Sequence, residues 1–429
     1  MYDRAMRRAL LLLLFVGCSS SLPSSSDGGQ QDGQAATDGG AADGGGATDG
    51  GDASAPCADT CPAPNGGVTL GCQKRFVYGV NYAWRDFAGD FGGIAQWGVK
   101  GVAGAQAGYV ADLADMQAQG ANVIRWWMFP DFRGDGVTFD AKNVPTGVTA
   151  GAVADFTKAL ELLDQAGLFV MPTFFSFDNF RPTQTNNGVV IRGLAPIALD
   201  AAARKALVDN VVRPLVRAAV QSPYGRRVFA WEVINEPEWA VTGASLYGGD
   251  QAFDPTMGLT AITHAQMETF IKDVIAGVRA EATGMVSVGG AAPKWAHAWS
   301  MTGVDFYQWH YYDWVNTYWP YTDGPAKYGL GKPVVVGEMP MDKLANQPFS
   351  SVVGTFWQNS YAGALGWAYA DAKASVPNLK TFAQQHACES RYTLPMKSAV
   401  PAPAAADRSI IRSTRLCAHG PDGKPRCLP

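Results

Sequence analysis

The chain has 429 residues, a formal charge of −4, 47% hydrophobic residues, and 13 Trp, 15 Tyr and 20 Phe. That length holds one large domain or two ordinary ones, and the composition supplies a sizeable core. The acidic balance argues against nucleic-acid binding, which needs a basic footprint, and five His without an HExxH or clustered spacing argue against a dedicated zinc site.

Arg4, Arg7 and Arg8 precede an apolar run over residues 9–16 that ends at Gly17-Cys18. This is the pattern of a secretory signal, and it is too short to span a bilayer as a mature helix. Phe15-Val16-Gly17-Cys18 resembles a bacterial lipobox, with Phe where Leu is usual. The resemblance implies removal of residues 1–17, lipidation of Cys18 and an outer-membrane anchor, which Ser19 would suit; ordinary secretion is the alternative. Residues 18–56 repeat Asp-Gly-Gly with Ala, Thr and Gln between, and contain no aromatic residue, Lys or Arg. Such a segment cannot bury enough apolar surface to offset its ordering entropy, so a disordered linker is expected.

Six further cysteines, Cys57, Cys61, Cys72, Cys388, Cys417 and Cys427, flank a central region that has none. In an exported chain an even count reads as disulfides, with the pairing left open. Their placement suggests staples on the two ends of a domain over residues 57–390, with a Cys-containing tail over 391–429 packed against it.

Short apolar strands then alternate with helical segments. Strands are predicted at 76–81, 121–128, 168–175, 228–235, 285–289, 304–310, 333–337 and 363–369. Helices are predicted at 109–119, 150–165, 200–221 with a kink at Pro214, 264–282 and 378–388; the segment between the sixth and seventh strands is weakly marked. Eight strands separated by helices predict an α/β fold, a (β/α)8 TIM barrel. A doubly wound sheet would need a Gly-rich phosphate turn after the first strand, which Gly79-Val80-Asn81-Tyr82 does not supply.

Two strands end in a carboxylate. Trp231-Glu232-Val233-Ile234-Asn235-Glu236-Pro237 stops at a proline that cannot continue the ladder, and Val334-Val335-Val336-Gly337-Glu338 ends in a second glutamate. In a barrel both would converge on one mouth, where paired carboxyl groups suit glycoside hydrolysis without metal or cofactor. Glu238, beyond the proline, reads as a solvated loop charge.

Residues 76–370 resemble a clan A glycoside hydrolase, closest to family 5, the cellulase and mannanase family. The matching pieces are Gly79-Val80-Asn81-Tyr82, Arg125 in Asn122-Val123-Ile124-Arg125, the Asn235-Glu236-Pro237 strand, His310-Tyr311-Tyr312, Gly337-Glu338 and Gly366-Trp367, in the family's order. The resemblance implies a retaining β-glycosidase with Glu236 as acid/base and Glu338 as nucleophile. Arg125 and Tyr312 would hold Glu338 and lower its pKa, Asn235 would bond the sugar 2-hydroxyl, His310 would orient the network, and Trp367 would floor the reacting sugar. Arg125 could instead simply neutralise Glu232, which has the strand parity of Glu236. Trp84 and Trp239, with Trp127, Trp314 and Trp319, are candidates to stack on sugar.

The third strand departs from the family pattern: where the family often has a His or Asn near its end, this chain has Thr173-Phe174-Phe175-Ser176-Phe177, leaving Asp178 or Asn179 as replacements from the loop. The implied partner is a β-linked polysaccharide or oligosaccharide acted on by a monomer. An endo-β-1,4-mannanase is the first expectation. A cellulase-like endo-β-glucanase, a transglycosylase and a non-catalytic carbohydrate-binding lipoprotein are the alternatives.

Overall fold

A computed structural model describes residues 61–70, 73–369 and 378–390, together with the backbone of two short paired strands, Cys417–His419 and Pro425–Cys427. The signal, Cys18, the linker, Cys57, Cys72 and the side chains of Cys417 and Cys427 lie outside the described residues.

Eight strands form a closed parallel barrel: β1 Val77–Asn81, β2 Val123–Trp127, β3 Phe169–Ser176, β4 Ala230–Asn235, β5 Met285–Gly290, β6 Tyr307–His310, β7 Val334–Pro340 and β8 Gly363–Trp367. Each pairs with the next, and β8 closes on β1. Nearly every strand residue is buried, because helices cover the outside and side chains fill the inside. The eight predicted strands are all present, with ends shifted by a few residues.

One shift matters for chemistry. The strand carrying Glu338 does not stop there but runs on to Pro340, pairing Met339 and Pro340 with Gly366 and Trp367. Trp309 pairs with Val336 and His310 with Glu338, so Gly337 is an extra residue bulged out of the β6–β7 ladder. A bulge turns the strand locally and re-aims the side chain that follows it, here Glu338.

The helices form where their caps say they should. Helix α1, Ala150–Ala166, starts at Thr149, whose side chain accepts from Ala152 N, and stops at Gly167 in the left-handed region (φ 74°). The predicted kinked helix is three continuous pieces, Ala201–Leu207, a π turn Val208–Val212 and Arg213–Gln221. Pro214 has no N–H for the Asn210 carbonyl, and the wider turn just before it accommodates that loss. Between β6 and β7 only a short helix, Asp313–Tyr318, and a 3-10 turn, Pro325–Tyr328, are found, which is why that segment is weakly marked.

The closed end of the barrel is covered by Val68 and Leu70, which pack with Val77, Val123, Phe169 and Val335. A segment near residue 388 closes the same end: Glu389 accepts from Phe76 N at 2.8 Å. Cys61 is bonded to Cys388, with Cα atoms 5.6 Å apart. One of the expected staples therefore joins the two ends of the barrel domain.

Candidate active site

The site is built on the carboxyl ends of six strands, around Arg125 of β2. Its guanidinium is fully buried and all five of its N–H groups are placed. Nε and one Nη2 hydrogen go to the two oxygens of Glu232, the former at 2.8 Å. The other Nη2 hydrogen goes to Asn235 Oδ1 at 2.7 Å, and Nη1 donates to Asn81 Oδ1 (2.8 Å) and Glu338 Oε1 (2.7 Å). Both sequence readings of Arg125 are thus realised at once. One cation holds a structural glutamate on β4 and the carboxylate on β7.

Asn81, whose role the sequence does not assign, is the second hub. Its amide donates to the carbonyls of Gly337 (2.9 Å) and Gly366 (3.1 Å), pinning the bulge that aims Glu338. Its presence in the first-strand motif is the signal that could have found it.

Glu338 is 4% exposed. Its second oxygen accepts from Tyr312 OH at 2.8 Å. Burial pushes its carboxyl up, opposed by His310, Arg125 and Tyr312. The expectation of a lowered pKa is therefore corrected: the barrel mouth is dry enough for desolvation to outweigh the three stabilising neighbours.

Glu236 is placed differently. It follows β4 in the left-handed region (φ 45°, ψ 49°), unusual for a residue with a side chain and costing on the order of 1–3 kcal/mol. Its N–H is held by Gly289 O at 2.6 Å. Its Oε2 accepts from Trp239 Nε1 (2.9 Å), and Oε1 lies 2.7 Å from His310 Nδ1. Among the described residues, no Arg or Lys side chain touches it. Burial pushes its carboxyl up to about 7, moderated by Trp239 and Arg125. His310, fully buried, is pushed down to about 4 chiefly by burial, so its ring is neutral near pH 7.

One oxygen from each of Glu236 and Glu338 and a ring nitrogen of His310 all lie within 4.8 Å of one another. Among the described residues these are the only His, Cys, Asp or Glu side chains grouped closely enough to ligate a metal. Their oxygens are already engaged by Arg125, Tyr312, Trp239 and His310, an arrangement for moving a proton. Two coupled carboxyls in one dry site share a proton over an intermediate pH range. It belongs on Glu236, since Glu338 has the arginine.

Aromatic rings wall the mouth on both sides. Trp367 lies against Trp127 (5.4 Å between centroids) and Trp84 (5.9 Å). Across the dyad, Trp239 meets Trp295 (5.4 Å) and Trp314 (6.2 Å). Beyond Trp314 a cleft of about 500 Å³ is lined by Gln251, Lys294, Trp314, Tyr318 and Trp319.

One expectation from the loops fails. Glu238 is not a solvated charge: it is 1% exposed and accepts from Trp299 Nε1 (2.7 Å) and Ala291 N (3.1 Å), donors that follow β5. Burial pushes its carboxyl up to about 8. Asp178 pairs with Arg181 at 2.9 Å and Asn179 Oδ1 accepts from Ser176 N, while Asn179 Nδ2 is buried without a hydrogen-bond partner among the described residues.

The Glu238 environment predicts a stability effect. A carboxyl whose folded pKa is raised holds its proton in the native state after the unfolded chain has lost it. Its contribution to stability is therefore lost as pH rises from about 4.5 towards about 8. Glu238→Gln keeps one of the two acceptor oxygens and removes the ionisation. Its melting temperature should fall less than the wild type's between pH 5 and pH 8, by calorimetry. Parallel curves would show that Glu238 does not titrate in that window.

The chain is an O-glycosyl hydrolase, and this dyad at the mouth of such a barrel resembles that of clan A glycoside hydrolases close to family 5. It is 22% identical over 353 residues to the mannan endo-1,4-beta-mannosidase of Mytilus edulis, covering 71% of this chain and 90% of that one. It is 23% identical over 336 residues to the enzyme of the same name from Cryptopygus antarcticus, covering 70% and 81%. The beta-1,4-mannanase of the sea hare Aplysia kurodai shares the fold, with a TM-score of 0.61 at 19% identity over 75% of this chain and 95% of that one. No protein-family model matches the chain.

Proposed function

We propose that this chain is an endo-β-1,4-mannanase that cleaves with retention, Glu236 serving as acid/base and Glu338 as nucleophile. The observation that carries the reading is the pair of nearby carboxyls in different settings, one held by Arg125 and Tyr312, the other touched by no Arg or Lys among the described residues and raised to about 7. One oxygen of each lies within 4.8 Å of the other, which favours the roughly 5–5.5 Å carboxyl spacing of retaining enzymes over the wider gap of inverting ones. Glu338 attacks the anomeric carbon while Glu236 gives its proton to the departing glycosidic oxygen. Water then attacks the glycosyl-enzyme, losing a proton to Glu236 and releasing Glu338. Asn235, with its Oδ1 bound by Arg125, presents its amide to the sugar 2-hydroxyl.

The mannosidase names of the relatives support the sugar, and aromatic walls on both sides of the dyad support internal cleavage of a polymer. Trp367 and Trp84 face one side, Trp239 and Trp314 the other. Both carboxylates come from one chain, which suits a monomer. The chain is exported, as its leader and the Cys61–Cys388 bond favour, and carries its lipid on Cys18. The domain boundaries at 57 and 390 follow from the same reading.

Incubation with mannan, cellulose, mixed-linkage glucan, laminarin and xylan, followed by product sizing, tests the substrate. The expected result is a ladder of short manno-oligosaccharides whose new reducing ends appear first as the β-anomer by proton NMR. Faster cleavage of cellulose than mannan, or release of mannose alone, would overturn the reading.

A further inference from the structure

We propose that Gln308 is a positioning residue for the acid/base: it holds the proton of the neutral His310 ring on Nε2, so that Nδ1 faces Glu236 as a bare acceptor. The inference rests on Glu236 being the proton donor. Gln308 and His310 lie two apart on β6, so both point into the barrel, and both are buried. Gln308 Nε2 donates to Glu232 Oε2 at 3.0 Å. A carboxylate bound on both oxygens by Arg125 can only accept, so the amide nitrogen must face it and Oε1 must face away. That oxygen and His310 Nε2 are both buried without a hydrogen-bond partner among the described residues.

The two atoms converge on one spot. A Cβ placed on Gly337 would lie 2.8 Å from Gln308 Oε1 and 3.0 Å from His310 Nε2. The bulged glycine thus opens the space towards which both atoms face. An amide oxygen only accepts, so a direct approach of the two atoms is satisfied only by an Nε2–H; a proton on Nδ1 would leave two bare acceptors facing each other. With Nε2 protonated, the 2.7 Å contact between Nδ1 and Glu236 Oε1 is a hydrogen bond only when Glu236 carries the proton. The resting order is Glu236 O–H to Nδ1 and Nε2–H towards Gln308, with Arg125 and Glu232 fixing the far end. The other groups facing the ring are Glu338, whose Oε2 is 3.5 Å from Nδ1, and the Arg125 cation. Once the proton has gone to the leaving sugar, the carboxylate faces a lone pair, which favours taking a proton back from water.

Two-bond proton–nitrogen correlation on ¹⁵N-histidine-labelled protein reads the tautomer, with His310→Asn identifying the signal. The wild type should show His310 neutral and protonated on Nε2. In Gln308→Met the Nε2–H tautomer should lose its dominance, and the basic limb of kcat/KM should move down by about one pH unit, a roughly tenfold loss above it, with KM little changed. An Nδ1–H tautomer in the wild type overturns the proposal even if the variant does not fold. So does a variant with the same tautomer and the same basic limb. Full activity in Glu236→Gln would instead sink the acid/base assignment and leave the tautomer result standing.

Discussion

Glu338→Gln should be folded and inactive on mannan, with a rate loss exceeding the ~10²–10⁴-fold that general acid–base catalysis typically supplies. The amide keeps the shape of the carboxylate and an oxygen for Arg125, and the Tyr312 hydroxyl can turn to accept from its nitrogen, so the network survives. What disappears is the anion that attacks the anomeric carbon. Glu236→Gln should behave differently. On mannan it should lose about 10²–10⁴-fold, because the departing sugar needs the proton. On an aryl mannoside whose leaving group needs little help, the first step should persist and the second should stall for want of a base. A burst of phenol followed by a slow steady state would report that. Equal losses on both substrates, or activity in Glu338→Gln, would count against the division of roles.

Arg125→Met should lose both stability and activity, and a double variant should separate the two. Removing one partner from a buried charge pair leaves the others uncompensated and typically costs about 3–5 kcal/mol. For a domain of this size that lowers the melting temperature by about 5–15 °C. Burial works against the arginine's own charge, but Glu232 and Glu338 overcome it and push its pKa further up, so this cation is bound tightly into the fold. Adding Glu232→Leu removes the carboxylate most deprived by the change and should recover part of the stability. Activity should not return, because Glu338 has still lost its cation. Joint recovery of stability and activity would mean that Arg125 serves the fold alone.

Much of this was legible before any tertiary contact was known. Each barrel strand is an apolar run, since a strand covered on both faces has no solvent side to alternate with. Glu236 is followed by a proline that ends its strand, and Arg125, His310 and Tyr312 stand in recognisable order on theirs. Glu238 departs from its sequence expectation for a physical reason: a charge in the turn beyond a proline normally meets water. Here the loop after β5, more than fifty residues on, brings Trp299 and Ala291 to its oxygens. Gln308 carries no motif, and only its parity with His310 hinted that it looks into the same interior.

The amino-acid sequence by itself determined the barrel, the two glutamates at its mouth and the residues that surround them, because periodicity, strand termination and motif order are properties of neighbours along the chain. Only the tertiary structure decided that Arg125 serves Glu232 and Glu338 together, that burial pushes Glu338 up, that Glu238 is buried, and that Cys61 pairs with Cys388. Those outcomes depend on charges, solvent exclusion and Cα separations over a few ångströms through space, between residues that the chain holds far apart.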